Sequence, residues 1–240
     1  IVQVSLDNGA TWATAATTTG QNTWSLNATL TGSNTLKVRV LDATGNAGTA
    51  LSQAYVLDTT APTTTIASVT LSADTGTSTS DFITSTAAQT LSGTTSAVLQ
   101  SGETVQVSLD NGATWSTATS TVGQNTWSLN ATLTGSSTLK VRVADTAGNT
   151  GTTLSQAYVF DTAAPTTTIA TLALSADTGI SASDFITRTA AQTLSGTTSA
   201  ALQSGESVQV SLNNGATWST ASTTVGQNTW SLAGQTLTGS

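Results

Sequence analysis

Hydrophobic and polar residues alternate along several short segments of the chain. Val105, Val107 and Leu109 are separated by polar residues, and Lys140 and Arg142 interrupt a second apolar series in the same way. An apolar residue at every second position is typical of a β-strand that buries one face. No segment keeps the spacing of an amphipathic helix over a useful length. The pattern therefore predicts an all-β protein.

Seven such segments follow one another within about 100 residues, and turn-forming residues separate them. Between the third and the fourth, Asn111-Gly112 predicts a two-residue hairpin, because a type I′ turn needs positive φ at both positions. Seven short strands indicate an antiparallel, immunoglobulin-like β-sandwich. Trp115 and Trp127 lie on predicted strands, and we expect them in the core rather than exposed as platforms for sugars. The predicted strands are residues 63–72, 90–96, 103–110, 113–120, 125–133, 138–145 and 153–161.

The sequence also repeats itself. Trp12, Trp115 and Trp218 recur at a constant step of 103 residues. Residues 2–61 match residues 105–164 almost residue for residue, and the segments that follow match nearly as well. A fixed period close to one domain length predicts a tandem, end-to-end array of similar folded units.

The motifs DTTAP at 58–62 and DTAAP at 161–165 mark the boundaries between units. Residues 1–61 are then the C-terminal part of one immunoglobulin-like repeat, and residues 62–164 are a complete repeat. Residues 165–240 are the N-terminal part of a third. The two incomplete parts lack partner strands, so we expect open sheet edges there.

Composition narrows the range of functions. The net charge is −7 although only 7% of residues are charged, which disfavours a nucleic-acid partner. The chain has no His, and so lacks the usual general base and the commonest zinc ligand. It has no Cys and no Met, not even at position 1, which indicates an internal fragment or a trimmed product. No apolar run is long enough to insert into a membrane.

Three motifs together resemble the bacterial immunoglobulin-like repeats of large type I-secreted surface adhesins and biofilm-associated proteins. They are DTTAP at the boundary, SLDNGATW within the unit, and the DxxGN turn at 145–149 before the last strand. The resemblance covers essentially the whole chain. It implies a location at the bacterial cell surface or outside the cell and a role as a rod-like spacer. In many relatives it also implies calcium at the domain junctions.

The acidic residues of the complete unit fall at the two ends of the predicted sandwich, because antiparallel strands alternate in direction. Asp74 and Asp81 lie in the first loop and Asp161 ends the last strand, so these three belong at the C-terminal end. Glu103 begins the third predicted strand and Asp145 ends the sixth, and both positions lie at the N-terminal end. Units joined head to tail would therefore gather carboxylates at each junction.

Calcium takes six to eight oxygen ligands, largely from carboxylates, amide side chains and backbone carbonyls. Clustered carboxylates repel one another unless a cation or a proton neutralises them. We therefore predict calcium sites at the junctions. The alternative is that these residues only form turns, where an Asp side chain binds the backbone two residues on. The candidate ligands are Asp58, Glu103 and Asp145 at the first junction, and Asp74, Asp81, Asp161 and Glu206 at the second.

The segment SLDNGATW matches the Asp-box pattern of sialidases and other propellers, in which the box is a structural hairpin remote from catalysis. It occurs at residues 5–12 and again at 108–115. In the third copy Asn213 replaces the Asp, a change that a turn tolerates and a catalytic acid would not. The box therefore indicates local structure.

Two functions fit these features, and neither is an enzyme, because acids that recur once per small repeat cannot flank one substrate cleft. The first is a structural spacer whose partners are the neighbouring repeats of the same chain. The second is a weak multivalent module that binds host or matrix glycans or another copy of itself, with avidity supplied by repetition. An aromatic or apolar patch on a sandwich face would favour the second.

Overall fold

The computed structural model describes residues 1–76 and 78–238, and every regular element in this part of the chain is a β-strand. No helix there is long and apolar enough to cross a membrane. The chain forms two compact units that meet in sequence between Thr162 and Ala163, and the last two residues of the predicted third repeat lie outside the description. The strands are β1 Val2–Ser5, β2 Ala13–Thr14, β3 Ala16–Thr17, β4 Trp24–Ser25, β5 Asn34–Val40, β6 Leu51–Tyr55, β7 Ile66–Leu71, β8 Ile83–Thr84, β9 Ala88–Thr95, β10 Thr104–Ser108, β11 Ser116–Thr117, β12 Thr119–Ser120, β13 Thr126–Thr132, β14 Ser137–Ala144, β15 Leu154–Phe160, β16 Ile169–Leu174, β17 Ala191–Thr198, β18 Gln209–Val210, β19 Ser219–Thr220, β20 Ser222–Thr223 and β21 Thr229–Thr236.

The complete repeat is a sandwich of two sheets. One sheet has the strand order β12-β13-β9-β7, and the other has the order β11-β10-β14-β15-β8. Neighbouring strands pair antiparallel except β8 and β15, which are parallel. All seven predicted segments contribute strands to these sheets. The predicted all-β, immunoglobulin-like architecture is therefore confirmed.

The core lies between the two sheets and is built by the alternation seen in the sequence. Val105 pairs with Val143 and Val107 pairs with Val141 across β10 and β14. These four side chains are at most 2% exposed, and Leu91 of the opposite sheet is fully buried against the same cluster. Burying one such side chain stabilises the fold by about 1.5–3 kcal/mol. The core therefore depends on a small number of aliphatic positions.

The fourth predicted strand is in fact two strands in different sheets. β11 pairs with β10, whereas β12 pairs with β13 on the opposite side of the sandwich. Ala118 stands between them, is 5% exposed, and donates its N–H to the carbonyl of Val105 at 2.9 Å. The chain crosses from one sheet to the other at this residue. A small side chain that can be buried at the crossing permits the switch.

The predicted two-residue hairpin is also wrong in its length. Both Asn111 and Gly112 have positive φ, 60° and 96°, as the sequence indicated. However, β10 ends at Ser108 and β11 begins at Ser116, so the two residues lie inside a longer loop. Side-chain hydrogen bonds of the box, described below, shape this loop.

The short strand β8 was not predicted, and it covers the free edge of β15. Val159 donates its N–H to the Phe82 carbonyl at 2.9 Å, and Asp161 donates its N–H to the Thr84 carbonyl at 3.0 Å. Two residues are too few to show a period in the sequence. Pairing along this edge removes backbone groups that could otherwise pair with another chain.

β9 passes β7 at a distance that only glycine permits. The pairing of β7 with β9 is irregular between Ile66 and Ser68, and Gly93 lies against this segment. A Cβ atom on Gly93 would overlap the Ser68 carbonyl oxygen and lie 2.8 Å from Cζ2 of Trp127. Gly196 has equivalent surroundings in the second unit. β7 and β9 of the complete repeat, like β16 and β17 of the second unit, therefore pair around a fixed close approach within one sheet.

The first and third copies of the repeat each form some of the strands seen in the complete repeat. Residues 1–57 form the sheet β2-β1-β5-β6, on which Leu51 and Val56 are 73% and 82% exposed. In the second unit, β16-β17-β21-β20 form one sheet and β18-β19 form a separate pair. Its core consists of Leu194, Leu202, Val208, Ala221 and Trp230.

Candidate functional site

The loop between β7 and β8 carries two of the acidic residues at the C-terminal end of the sandwich. Asp74 Oδ2 accepts the Phe82 N–H at 2.9 Å, and Asp81 Oδ1 accepts the Ile83 N–H at 3.1 Å. Phe82 has a φ of 61°, a left-handed conformation that costs a bulky residue about 1–3 kcal/mol. The Phe82 ring packs against the core, so Asp74 and this packing together hold the strained residue.

One oxygen of Asp74 has no hydrogen-bond partner within residues 1–76 and 78–238. Its Oδ1 atom is buried, and no described group forms a hydrogen bond with it. Asp177 repeats this in the second unit. The Asp81 carboxylate lies beside Gly76, since a Cβ built there would be 3.0 Å and 3.2 Å from its two oxygens. A buried polar atom without a partner costs free energy, so this loop has chemical capacity for a cation.

Gln89 and Thr84 attach the same loop to the sheet, and the sequence reasoning missed both. Gln89 Nε2 donates to the carbonyls of Ala73 (2.9 Å) and Thr86 (2.8 Å), and Oε1 accepts the Ala73 N–H at 3.0 Å. The Thr84 hydroxyl donates to the Ala73 carbonyl at 2.6 Å. Gln192 makes the equivalent bonds in the second unit. A glutamine that recurs within AQTLSGTT at the repeat step was the available signal.

The glutamates at the N-terminal end close a turn. Glu103 Oε2 accepts the Gln100 N–H at 2.8 Å and the Thr64 hydroxyl at 3.1 Å. These bonds join the segment before β7 to the turn before β10. Glu206 makes the same two bonds in the second unit.

The side chain of Asn149 joins the linker to the repeat that follows it. Its Nδ2 donates to the Asp58 carbonyl at 3.1 Å and to Asp145 Oδ2 at 2.9 Å. Asp145 Oδ1 accepts the amides of Ala147 and Asn149, both at 2.9 Å. The hydrogen bond from the Asn149 side chain is the main cause that lowers the pKa of Asp145. Asp58 Oδ1 accepts the Thr60 N–H at 2.9 Å, so its carboxylate faces its own turn.

The predicted calcium ligands are thus distributed over several small turns. Within residues 1–76 and 78–238, no three acidic side chains form a group that could hold a metal ion by themselves. Asp74 and Asp81 share one loop, whereas the Asp58 carbonyl and the Asp145 carboxylate share Asn149. A cation at either place would take further ligands from backbone carbonyls, which calcium accepts.

The SLDNGATW segment folds into a hydrogen-bonded loop. Ser108 Oγ donates to Asp110 Oδ1 at 2.6 Å and accepts the Gly112 N–H at 2.8 Å. Asp110 also accepts the amide and the hydroxyl of Thr114, at 2.9 Å and 2.5 Å. These bonds, with that of Ser108 the largest cause, hold the pKa of Asp110 below its usual range. The Asp110 carboxylate and the Ser108 hydroxyl are therefore both used inside the loop.

The other two copies show what the box requires. In the first copy, hydrogen bonds from Thr11 and then Ser5 lower the pKa of Asp7 to about 2. In the third copy, Asn213 Oδ1 accepts the Thr217 N–H at 2.8 Å and Nδ2 donates to the Thr217 hydroxyl at 2.7 Å. An amide therefore replaces the carboxylate without loss of the loop.

We expect the two acidic boxes to lose stability only in strong acid. A carboxyl group whose pKa falls on folding stabilises the native state above its unfolded pKa, and that contribution disappears as the pH falls through the folded value. For Asp7 the window runs from the ordinary 3.8 down to about 2. Urea unfolding followed from about pH 5 to about pH 2 should show a falling midpoint.

The third copy supplies a matched pair of variants for this measurement. Asp110→Asn should make the acid dependence shallower, and Asn213→Asp should make it steeper. Equal slopes for the parent chain and both variants would show that the box carboxylates are not linked to stability.

Trp115 lies on the outer face of the five-stranded sheet, and the expectation that it belongs to the core is wrong. The guanidinium carbon of Arg142 stacks 3.8 Å from the centroid of its ring, and Arg39 stacks on Trp12 at the same distance. Trp127, in contrast, is 3% exposed within the core, as predicted. Only one of the two tryptophans therefore contributes to the sandwich interior.

Comparison with known proteins agrees with the architecture. Residues 60–162 match the bacterial Ig-like domain family. None of the curated proteins compared with the chain matches it. Among solved structures, the chain is similar to one described as giving insight into host cell surface retention of a 1.5-MDa bacterial ice-binding adhesin, with 21% identity and a TM-score of 0.30. That similarity covers 83% of this chain and 62% of the other. The complete two-sheet repeat is therefore the part of the chain that is similar to the bacterial Ig-like domain family.

Proposed function

We propose that the chain is a stretch of non-catalytic spacer repeats from the stalk of a bacterial surface or secreted adhesin. The observation that carries this proposal is the junction, where Asn149 of one repeat holds the Asp58 carbonyl of the linker before it. A spacer needs length and firm junctions rather than distinct surfaces, which suits nearly identical units. The net charge of −7 keeps neighbouring chains apart and soluble.

The side-chain inventory supports a role without catalysis. The sequence contains neither His nor Cys, and its box carboxylates are bound within their own loops. A cavity of about 500 Å³ beside β9 and β13 is lined by uncharged side chains that include Ser72, Gln89 and Asn130. These groups can bind water or hydroxyls, but they provide no acid–base pair.

A spacer must become longer as repeats are added. Each added repeat should increase the maximum dimension in small-angle scattering by roughly 35–45 Å, the length expected from strands that rise about 3.3 Å per residue. Chains with two and four complete repeats make the comparison. A dimension that does not grow with repeat number would rule out the spacer role.

We also propose that calcium stiffens the repeat ends, most strongly at the loop of Asp74 and Asp81. The buried Oδ1 of Asp74 supports this, because a hard cation would give that oxygen the partner it lacks among the described residues. Asp161 follows β15 at the same end of the sandwich. At the other end, Asp58, Glu103 and Asp145 would contribute to a junction ion, and Glu206 would do so in the next repeat.

Calcium should raise the melting temperature of the chain. Extracellular calcium modules have Kd values around 10⁻⁴–10⁻³ M. A site of that strength would add about 1.4–2.7 kcal/mol of stability at roughly 10 mM calcium. Scanning calorimetry in calcium and in chelator measures the difference.

The control for this experiment is another carboxylate at the same end of the sandwich. Asp74→Asn should reduce the calcium-dependent shift, whereas Asp110→Asn should leave it unchanged, because the Asp110 oxygens are bound within the box. Identical melting curves in calcium and in chelator would eliminate the calcium proposal and leave the spacer proposal standing.

One observation favours weak glycan binding as a second function. Trp115, Arg142 and Lys140 lie together on the outer face of the sheet, so the complete repeat presents an aromatic ring beside its cations, as the first copy does with Trp12 and Arg39. A glycan array probed with the chain and with its Trp115→Ala variant tests this function. Binding at background level for the parent chain would leave only the spacer.

A further inference from the structure

The dipeptide Asn-Gly occurs three times in the sequence, and each time it lies inside the box. The three pairs are Asn8-Gly9, Asn111-Gly112 and Asn214-Gly215. Asn-Gly is chemically labile because glycine has no side chain to hinder attack by its own backbone nitrogen. That nitrogen forms a bond to Cγ of the asparagine, ammonia leaves, and water then opens the succinimide ring to aspartate or isoaspartate. An exposed loop would ordinarily permit this reaction.

In every copy of the box, a hydrogen bond engages the nucleophile of this reaction, the backbone nitrogen of the glycine. The N–H of Gly9 donates to Ser5 Oγ at 2.7 Å, and the N–H of Gly112 donates to Ser108 Oγ at 2.8 Å. In the third copy the N–H of Gly215 makes the same bond to Ser211 at 2.8 Å, although the acid of the box is absent there. The bond from the glycine N–H to the serine is therefore present in all three copies, whether or not the box contains an acid.

The backbone reinforces this arrangement. Asn111 has a φ of 60°, and Ser108 is 1% exposed, so its hydroxyl is fixed beneath the turn. The Ser108 hydroxyl proton points to Asp110 Oδ1, which leaves its oxygen free to accept the Gly112 N–H. To attack Cγ of Asn111, the Gly112 nitrogen would have to leave this acceptor and lose its proton.

We propose that the serine of each box protects the neighbouring Asn-Gly bond from deamidation. The box then has a chemical role as well as a structural one, and its first residue is the one that performs it. Loss of the serine exposes the bond to a reaction that adds a negative charge and, in isoaspartate, also an additional backbone carbon. Either product would alter the loop that connects β10 to β11 and supports Trp115.

The test compares deamidation rates at three sites in one chain. The folded Ser108→Ala variant is incubated at mildly alkaline pH, and peptide mapping by mass spectrometry follows each Asn-Gly pair. One ordinary hydrogen bond corresponds to about a two- to tenfold change in an equilibrium. We therefore expect deamidation at Asn111 to accelerate by about twofold to tenfold or more. The rate at Asn8 of the same molecules should stay at its parental value. The parent chain in denaturant gives the unprotected rate for each site.

A second variant separates protection from loosening of the loop. Thr114→Ala removes the hydroxyl bond to Asp110 but keeps the backbone amide bond to Asp110 and the bond between Ser108 and Gly112. It should deamidate at Asn111 close to the parental rate. Ser5→Ala and Ser211→Ala repeat the test in the other copies, so the result does not depend on the folding of one variant. Equal rates in Ser108→Ala and the parent chain, or equal acceleration in Ser108→Ala and Thr114→Ala, would overturn the proposal.

Discussion

Gly93→Ala should destabilise the complete repeat by about 3 kcal/mol or more, because overpacking that backbone atoms cannot relieve lies at the upper end of its usual cost. The new Cβ would overlap the Ser68 carbonyl oxygen, and Cζ2 of Trp127 stands 2.8 Å away on the same side. The carbonyl belongs to the paired backbone of β7, so β7 and β9 would have to separate. Urea unfolding, with hydrogen exchange resolved to β9, measures the loss.

Gly135→Ala is the matched control. No atom outside its chain neighbours lies within 4 Å of a Cβ at this position, and its φ is not positive. The substitution should change the unfolding free energy by less than about 0.5 kcal/mol. Similar losses for Gly93→Ala and Gly135→Ala would mean that the close approach of β7 and β9 is not a constraint on the sequence.

Trp127→Ala should cost about 3–5 kcal/mol, the usual range for removing a large aromatic side chain from a core. The ring is 3% exposed and packs in the cluster that holds Leu91 and Val105. Trp127→Phe should cost much less, because the buried indole N–H has no hydrogen-bond partner among the described residues and its loss removes no bond. Thermal unfolding of each variant provides the measurement.

The comparison residue for this prediction is the tryptophan on the outer face. Trp115→Ala removes a stacked Arg142 contact and a half-buried ring, for which we expect about 1 kcal/mol. If the two alanine variants lost equal stability, the assignment of Trp127 to the core and Trp115 to the surface would be incorrect.

These two tryptophans show where alternation along the sequence predicts burial and where it does not. Val105 and Val107 lie on a regular strand of five residues, where a period of two fixes the buried face, and the structure places them as expected. Trp115 ends a loop whose hydrogen bonds turn the chain, so strand periodicity does not apply to it. Cross-strand stacking on Arg142, 27 positions away, depends on the pairing register and not on local sequence.

The same limit applies to the candidate site. Strand order alone was enough to assign Asp74, Asp81 and Asp161 to one end of the sandwich, because topology determines where loops lie. The Asp74 Oδ1 atom, which forms no hydrogen bond with any described residue, could not be foreseen, because its surroundings depend on the strained Phe82 and on the loop that Gln89 fixes. Hydrogen-bond geometry of that kind appears only after the fold is known.

The position of β15 between β14 and β8 has a mechanical consequence. A pull on the chain beyond Asp161 acts along the axis of β15, and ladders on both of its sides oppose the sliding. Hydrogen bonds loaded in shear must fail together, whereas bonds at a peeled edge open one at a time. Without the short segment Ile83–Thr84, β15 would resist tension on one side only.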